Sequence, residues 1–438
     1  MSHPLRTLGD VKVLHTSDWH LGRSFHGASL LDEQSEALDR IASVVESEGV
    51  ELVVVAGDLY DRAIPPAPAV ELLGDTLARL HRAGASVAAI SGNHDSAVRV
   101  GGHDALLNRL GVALRGDHRR VDEPLVIERP SDGGPPVAVY LVPYLETAAV
   151  AADLLVGTES AEVEPAHDAP AGASSVAAGP PSLFDLLGEP APARPRSGRP
   201  TQDAVTRAAL DRIRGHLATL GAVRTVVVAH TFVAGGEVSA SERDLSVGNV
   251  ERVAVSSFDG FDLVALGHLH APQRLDGDRV AYAGSPLPYS FSEEGQVKSV
   301  RLVDLGVDGS VAATVVPLGV GRPVRTLVGR LDDLLIDPSW ADAEEARVRV
   351  RLTDDHLPNQ AMARLRARFP HAAELRHEPG GRVPAASDGF ASSGDVRRLE
   401  PLELTMRFWE EHDGGLPDPA VHDLLSRALA AAGVEEPS

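Results

Sequence analysis

Five short apolar runs within the first 270 residues end in the same kind of chemistry. Val11 to Thr16, Leu52 to Ala56, Val87 to Ile90, Thr225 to Ala229 and Leu263 to Leu266 are β-branched and nearly continuous, the pattern of strands buried on both faces. Each is followed by residue types able to hold metals or move protons: Asp18-Trp19-His20, Gly57-Asp58, Gly92-Asn93-His94-Asp95, His230, and Gly267-His268-Leu269-His270. In open α/β sheets the ligand site lies beyond the carboxyl ends of the strands, so the five segments are expected to converge. Convergence gathers five His, three Asp and one Asn. With so much imidazole, and no cysteine anywhere in the chain, the set favours manganese, iron or zinc over magnesium alone.

A lone His or Asp after a strand is more often a cap or a turn residue than a ligand. Five ordered motifs sharing one topology make that explanation a poor one for the set. His15, His26, His81, His103 and His118 show no such pattern and read as ordinary core or surface histidines. Asp61 stays open between capping the turn after Asp58 and accepting a hydrogen bond from a metal-bound histidine.

Helical spacing fills the gaps between strands: Leu30, Leu31, Gln34, Leu38, Ile41 and Val45 in Leu30 to Glu48, then Val70, Leu73, Leu77 and Leu80 in Pro68 to Ala83. With further strands expected at Val137 to Val142 and Val280 to Ala283, a layered α/β domain spans 1–320. Residues 158–200 interrupt it with eight prolines between Pro165 and Pro200, and disorder is the expectation there. Inside that tract, Ser182 to Leu187 forms a short apolar island that loosely resembles the bacterial sliding-clamp-binding peptide but lacks its glutamine. A small α+β unit is expected over 323–400, with strand Arg347 to Leu352, helix Asn359 to Phe369, strand Glu374 to His377 and a flexible break at 380–394. Two amphipathic segments, Leu402 to Glu411 and Ala420 to Ala431, fall within 401–438.

The balance of 41 basic against 63 acidic residues gives a net charge of −22, which argues against gripping nucleic acid by bulk electrostatics. Lys12 and Lys298 are the only lysines, and neither follows a glycine, so the chain has no phosphate-binding loop for ATP. Met1 to Asp10 lacks the apolar core of a signal peptide, and no apolar run is long enough to cross a bilayer. The expectation is a cytoplasmic protein.

Taken together, Asp18-x-His20, Gly57-Asp58-x-x-Asp61, Gly92-Asn93-His94-Asp95, His230 and Gly267-His268-x-His270 resemble the calcineurin-like metallophosphoesterase superfamily. The longer wording, His15 to Gly22, Ala56 to Asp61, Tyr282 to Pro286 and Ser290 to Glu293, resembles the SbcD family of bacterial nuclease subunits, relatives of Mre11. That resemblance implies an α/β fold: a layered β-sandwich flanked by helices, with a small α+β capping domain and C-terminal helices that bind a partner. It implies two divalent ions, Mn2+ first, with Mg2+ or Fe2+ as alternatives. Asp18, His20, Asp58 and His270 would hold one ion, and Asp58, Asn93, His230 and His268 the other. His94 would act on the scissile phosphate, with Asp95 orienting its imidazole.

Arg23, Arg62 and Arg99 follow metal motifs and are candidates for DNA phosphates. The implied partners are an SbcC-like, Rad50-related ATPase, DNA, and a second copy of this chain within a heterotetramer at the nucleoid. The implied activity is 3′-to-5′ double-strand exonuclease with single-strand and hairpin endonuclease. Another metallophosphoesterase, such as a cyclic-nucleotide phosphodiesterase or a protein phosphatase, and a non-catalytic DNA-end scaffold remain as alternatives.

Overall fold

The computed structural model describes residues 10–128, 133–155, 200–239, 242, 252–379, 402, 406, 421–422 and 424–427. The proline-rich tract apart from Pro200, the break at 380–394 and most of the two closing segments lie outside the described residues.

The chain first lays down β1 (Val11–Thr16), a small hairpin of β2 (Ser24–Phe25) and β3 (Ala28–Ser29), and then β4 (Leu52–Val55), β5 (Ser86–Ile90) and β6 (Val112–Arg115). A second sheet takes β7 (Leu125–Ile127), β8 (Val137–Val142), β9 (Arg224–His230), β10 (Leu263–Gly267), β11 (Gln273–Asp276) and β12 (Val280–Tyr282). The chain then returns to the first sheet with β13 (Ser299–Leu305) and β14 (Val311–Pro317). The strand orders are β14-β13-β1-β4-β5-β6 and β11-β12-β10-β9-β8-β7.

Period-two alternation decides what each face meets. In the first sheet Val11, Val13, Leu52, Val54 and Ala88 point inward and pack on Val139, Leu141, Val226, Val228 and Ala265 of the second, forming one dry layer between the sheets. The opposite faces bury helices. Leu14, Val53 and Val55 meet Leu38, Ile41 and Val45 of helix Leu31–Glu48 and Leu73 and Leu80 of helix Ala67–Arg82. On the far side, Tyr140, Val227 and Val264 meet helices Thr147–Leu154 and Gln202–Leu217. The first long helix stops at Gly49, whose left-handed backbone returns its N–H to the Val45 carbonyl. The result is a helix–sheet–sheet–helix sandwich.

β1, β4 and β5 are mutually parallel, as are β8, β9 and β10. Their carboxyl ends therefore open in common directions, and the loops that follow them carry the motif residues. Beyond the sandwich, β15 (Val324–Gly329), β16 (Arg347–Leu352) and β17 (Ala372–His377) form a three-stranded parallel sheet with helices Leu331–Ile336 and Ala361–Arg368 around their own core.

That small sheet is fastened to the sandwich close to the motif loops. Phe25 of the β2–β3 hairpin, Leu30, Tyr289, Phe291 and Val324 share an apolar cluster. Beside it, the Arg347 guanidinium donates 2.9 Å to Glu33 Oε2, and the Arg322 N–H donates 3.1 Å to the same oxygen. Arg349 stacks 4.6 Å over the Phe291 ring. Among the described residues no helix is long and apolar enough to cross a membrane.

Burial alone would push the Glu33 carboxyl up, but the Arg347 guanidinium and the Arg322 N–H outweigh it and hold the group below its usual range. A depressed acid stabilises the fold above its unfolded pKa, and that contribution is lost as pH falls through the folded value. Glu33→Gln is therefore expected to cost about 2 kcal/mol near neutral pH, with the gap from the native chain closing as pH drops below the ordinary glutamate range. Urea unfolding across that range checks it; a gap independent of pH would show that the carboxylate charge is not what ties the small sheet down.

Candidate metal centre

The loops after β1 and β4 run side by side. Asp18 N–H donates to the Gly57 carbonyl at 3.0 Å and His20 N–H to the Asp58 carbonyl at 2.9 Å. Asp18, His20 and Asp58 hold φ values of 53°, 46° and 48°, and His268 one of 107°. Left-handed backbone at non-glycine residues costs free energy and persists where the surroundings over-determine it. Here it turns four side chains into one space. Two glycines make room for them: a Cβ on Gly92 would stand 2.1 Å from Asp58 Oδ1, and one on Gly57 would stand 2.2 Å from His230 Nδ1.

Asp58 is the common neighbour. Its Oδ1 accepts the His94 N–H at 2.8 Å. Its Oδ2 lies 3.6 Å from His20 Nε2 on one side and 3.6 Å from His230 Nε2 on the other. Toward His20, the His270 Nε2 is 3.1 Å from the His20 Nε2. Toward His230, Asn93 Oδ1 is 2.9 Å from His230 Nε2 and 3.3 Å from His268 Nδ1. The His268 N–H donates to the Asp18 carboxylate at 3.1 and 3.2 Å. Asp18 with His20 and His270, His20 with Asp58 and His94, and Asp18 with Asp58 and His230 each bring ligand atoms within 4.8 Å of one another.

All of these side chains are buried except the half-buried Asn93. Burial first, then neighbouring positive groups, pushes His20 and His268 well below the usual imidazole range. Burial also lowers His230, with the Asp58 charge opposing it. The three rings are thus neutral near pH 7, with lone pairs available. The Ala56 carbonyl lies 2.8 Å from His230 Nδ1; a proton on Nδ1 satisfies that contact and leaves Nε2 as the donor atom. Asp18 is pushed well up, by burial first and by the Asp58 charge second, the electrostatic stress that cations between the two carboxylates relieve. The buried His20 Nδ1 and Asn93 Nδ2 have no hydrogen-bond partner. Neutral imidazoles, paired buried carboxylates and an inward amide oxygen fit two divalent ions.

The expected orienting role of Asp95 is not what the geometry shows. Its carboxylate accepts three main-chain N–H groups, from Leu59, Tyr60 and Gly92, each at 2.9 Å. It therefore ties the loop after β4 to the loop after β5. Burial and then the Asp58 charge raise it to about 7 against the pull of those N–H groups. His94 is oriented instead by the Asp61 carbonyl, 2.8 Å from its Nδ1, which leaves Nε2 facing Asp58 Oδ2 at 4.0 Å. The resemblance pointed to the adjacent acid, whereas the contact comes from a main-chain oxygen 33 residues away.

The three arginines divide. Arg62 and Arg99 are exposed, Arg62 with its guanidinium 3.7 Å from Asp61 Oδ2, while Arg23 is half-buried, 4.9 Å over the Tyr289 ring and 3.5 Å from Asp61 Oδ1. His15 is a core residue, its Nε2 3.0 Å from the Leu266 carbonyl. Sequence reading passed over Gln34, which donates to the Trp19 and His20 carbonyls at 3.2 and 2.7 Å and so pins the first motif loop. Its signal was a polar residue inside the apolar stripe of a helix.

This sandwich, with a carboxylate and imidazole centre at its strand ends, is that of the calcineurin-like phosphoesterases, whose family model matches residues 11–141. Residues 320–413 match a second model, described as the type 5 capsule protein repressor C-terminal domain and denoted SbcD_C. The chain is 31% identical over 447 aligned positions to the D subunit of the nuclease SbcCD from Bacillus subtilis (strain 168), an alignment that covers 97% of this chain and 99% of that one. It belongs to the SbcD family. Similar solved structures include TT1561 of Thermus thermophilus, with TM-score 0.35, 14% identity and coverage of 70% of this chain and 99% of that one. Another is GAP50, the anchor in the inner membrane complex of Plasmodium, with TM-score 0.33, 10% identity and coverage of 85% and 98%.

Because a side chain on Gly92 meets the Asp58 carboxylate, Gly92→Ala is expected to lower stability by about 2 kcal/mol and to weaken metal binding at least ~10-fold. Unfolding curves and metal analysis of the folded variant check this. Native metal content at native affinity would mean that Asp58 is not held in place by that close approach.

Proposed function

We propose that this chain is the nuclease subunit of an SbcCD-like complex and hydrolyses DNA phosphodiesters at a two-metal centre. The observation that carries the reading is the Asp58 carboxylate oxygen standing at equal distance from a histidine of each sheet. Asp18, His20, Asp58 and His270 would hold one ion; Asp58, Asn93, His230 and His268 the other. Mn2+ suits this mixture of imidazole, carboxylate and amide oxygen, with Fe2+ or Mg2+ as alternatives. When bound, the ions supply Lewis-acid polarisation of the phosphodiester and an acidified water.

The protein's own share is orientation and proton handling. With Nδ1–H held by the Asp61 carbonyl, His94 presents Nε2 to the reacting phosphate; as the doubly protonated imidazolium it would donate its Nε2 proton to the leaving oxygen and return to the neutral Nδ1–H ring, or stabilise developing charge. Asp95 acts through the two loops it joins. Arg62 and Arg99 meet DNA phosphates from the exposed rim, and the local charge of the ions offsets the acidity of the whole chain.

The relative from Bacillus subtilis is by name one component of a two-letter complex, SbcCD. On that basis the reading extends to a Rad50-like SbcC ATPase as partner, to a homodimer within a heterotetramer, and to action in the cytoplasm at the nucleoid. Double-strand exonuclease activity of 3′-to-5′ polarity and cleavage of single strands and hairpins are the expected reactions. The nuclease unit would span 1–320, a capping unit 323–400, and the partner-docking segment 401–438.

Purified chain with Mn2+ is expected to cut hairpin and single-stranded DNA far faster than cyclic nucleotides or phosphopeptides. His94→Ala should keep both ions and the fold while cleavage falls ~10²-fold or more. Loss of an ion in that variant would make His94 a ligand, and turnover on small esters alone would replace the nuclease reading.

A further inference from the structure

The segment from Gly284 to Lys298 backs the centre and carries charge that the ligand set leaves unused. Lys298 is one of only two lysines in the chain; its residue is 8% exposed, and its partner Glu293 is 1% exposed. Taking an ammonium and a carboxylate out of water costs several kcal/mol per ion, and an apolar pair of similar size often serves a core as well. The pair is therefore best understood from what it holds.

Lys298 Nζ donates to the Glu293 carboxylate, to Gln296 Oε1 at 3.0 Å and to Ser285 Oγ at 3.0 Å. It also donates to the main-chain oxygen of His270, at 2.9 Å. Glu293 Oε1 lies 3.7 Å from His270 Nδ1 and accepts the Tyr289 N–H at 3.0 Å. Tyr289 then reaches the other ligand loop: its hydroxyl donates to the Trp19 carbonyl at 2.6 Å. Its ring stands edge-on to the His20 and His270 imidazoles, with centroids 5.1 and 5.4 Å away. Outside the segment, Lys298 Nζ and Glu293 reach His270, and Tyr289 reaches His20, His270 and the loop that carries His20, whereas Phe291 and Glu294 of the same segment face the small sheet.

We propose that Tyr289, Glu293 and Lys298 are a positioning set for one of the two metal positions, holding His20 and His270 in convergence while leaving the Asn93–His230–His268 side to its own supports. The inference rests on the two-metal reading above and adds to it a division of labour behind the ligands. Outer contacts of this kind fix ring orientation, and their loss typically costs 10- to 100-fold in metal affinity.

Lys298→Met alone leaves a buried carboxylate without its cation, which endangers folding whatever the role of the pair. The deciding variant is the double substitution Glu293→Gln with Lys298→Met, which removes both charges. Mn2+ titration of the metal-free full chain by calorimetry, with circular dichroism as the fold control and His270→Ala as the reference, reads the result. The native chain is expected to bind two ions. His270→Ala should lose one, and the double variant should fold and bind that same ion 10- to 100-fold more weakly while the other is unchanged.

Two ions at native affinity in the double variant, with one lost in His270→Ala, would overturn the positioning role and leave the two-metal reading standing. Equal weakening of both ions would overturn the division of labour. Fewer than two ions in the native chain would overturn the metal reading and this inference with it. If the double variant does not fold, Tyr289→Leu, which removes no charge, is read by the same titration: selective weakening supports the proposal and native affinity at both positions overturns it.

Discussion

The Asp58 carboxylate organises the molecule. It is buried, lies near a second buried carboxylate at Asp18, and faces a histidine from each sheet across the same distance. Such an arrangement is costly without cations, and much of the surrounding structure reads as the means of keeping it in place. The Asp95 carboxylate draws the loops after β4 and β5 together. Gly92 allows Asp58 to lie against the backbone of the second of those loops, and the His94 N–H fixes the rotamer by donating to Oδ1.

The two-sheet sandwich explains why that geometry is available. Parallel strands within each sheet send their carboxyl ends the same way, and the dry layer between the sheets fixes their spacing. Left-handed backbone at Asp18, His20, Asp58 and His268 then bends the loops into the gap above that layer. Interiors packed at crystal-like density transmit strain instead of absorbing it, so the cost of these conformations is carried by the cores on either side of each sheet. The small C-terminal sheet is anchored to the same region through Glu33 and Arg347. This places a separate module within a few residues of the loop that carries His20.

How much of this was legible in the sequence follows from the physics of each element. β1, β4, β5, β8 and the helix ending at Gly49 fell within a residue or so of expectation because β-branched runs and helical stripes leave few alternatives. β11, reading Gln-Arg-Leu-Asp, and β13, with Arg301 and Asp304, were not anticipated. Pairing with a neighbouring strand, and burial of Arg301 against the Asp278 carbonyl, stabilise segments whose own propensity is weak. The second sheet as a face-to-face partner was legible only through the family resemblance. At the site, the ligand candidates stood out because imidazole and carboxylate after strands are chemically conspicuous. Gln34, Tyr289, Glu293 and Lys298 did not, since they act through carbonyl oxygens and ring edges that no spacing rule encodes. Asp95 was noticed, but its partners are main-chain N–H groups, and such partners become visible only once the loops are placed.

In the proposed centre Asp58 lies between two ions, each held by residues of both sheets, and anomalous diffraction from crystals of the full chain grown with Mn2+ is a direct test. Two peaks are expected, about 3.5 to 4 Å apart, one beside His20 and His270 and one beside His230 and His268, with the Asp58 carboxylate between them. A single peak, or two peaks of which only one touches Asp58, would contradict that arrangement.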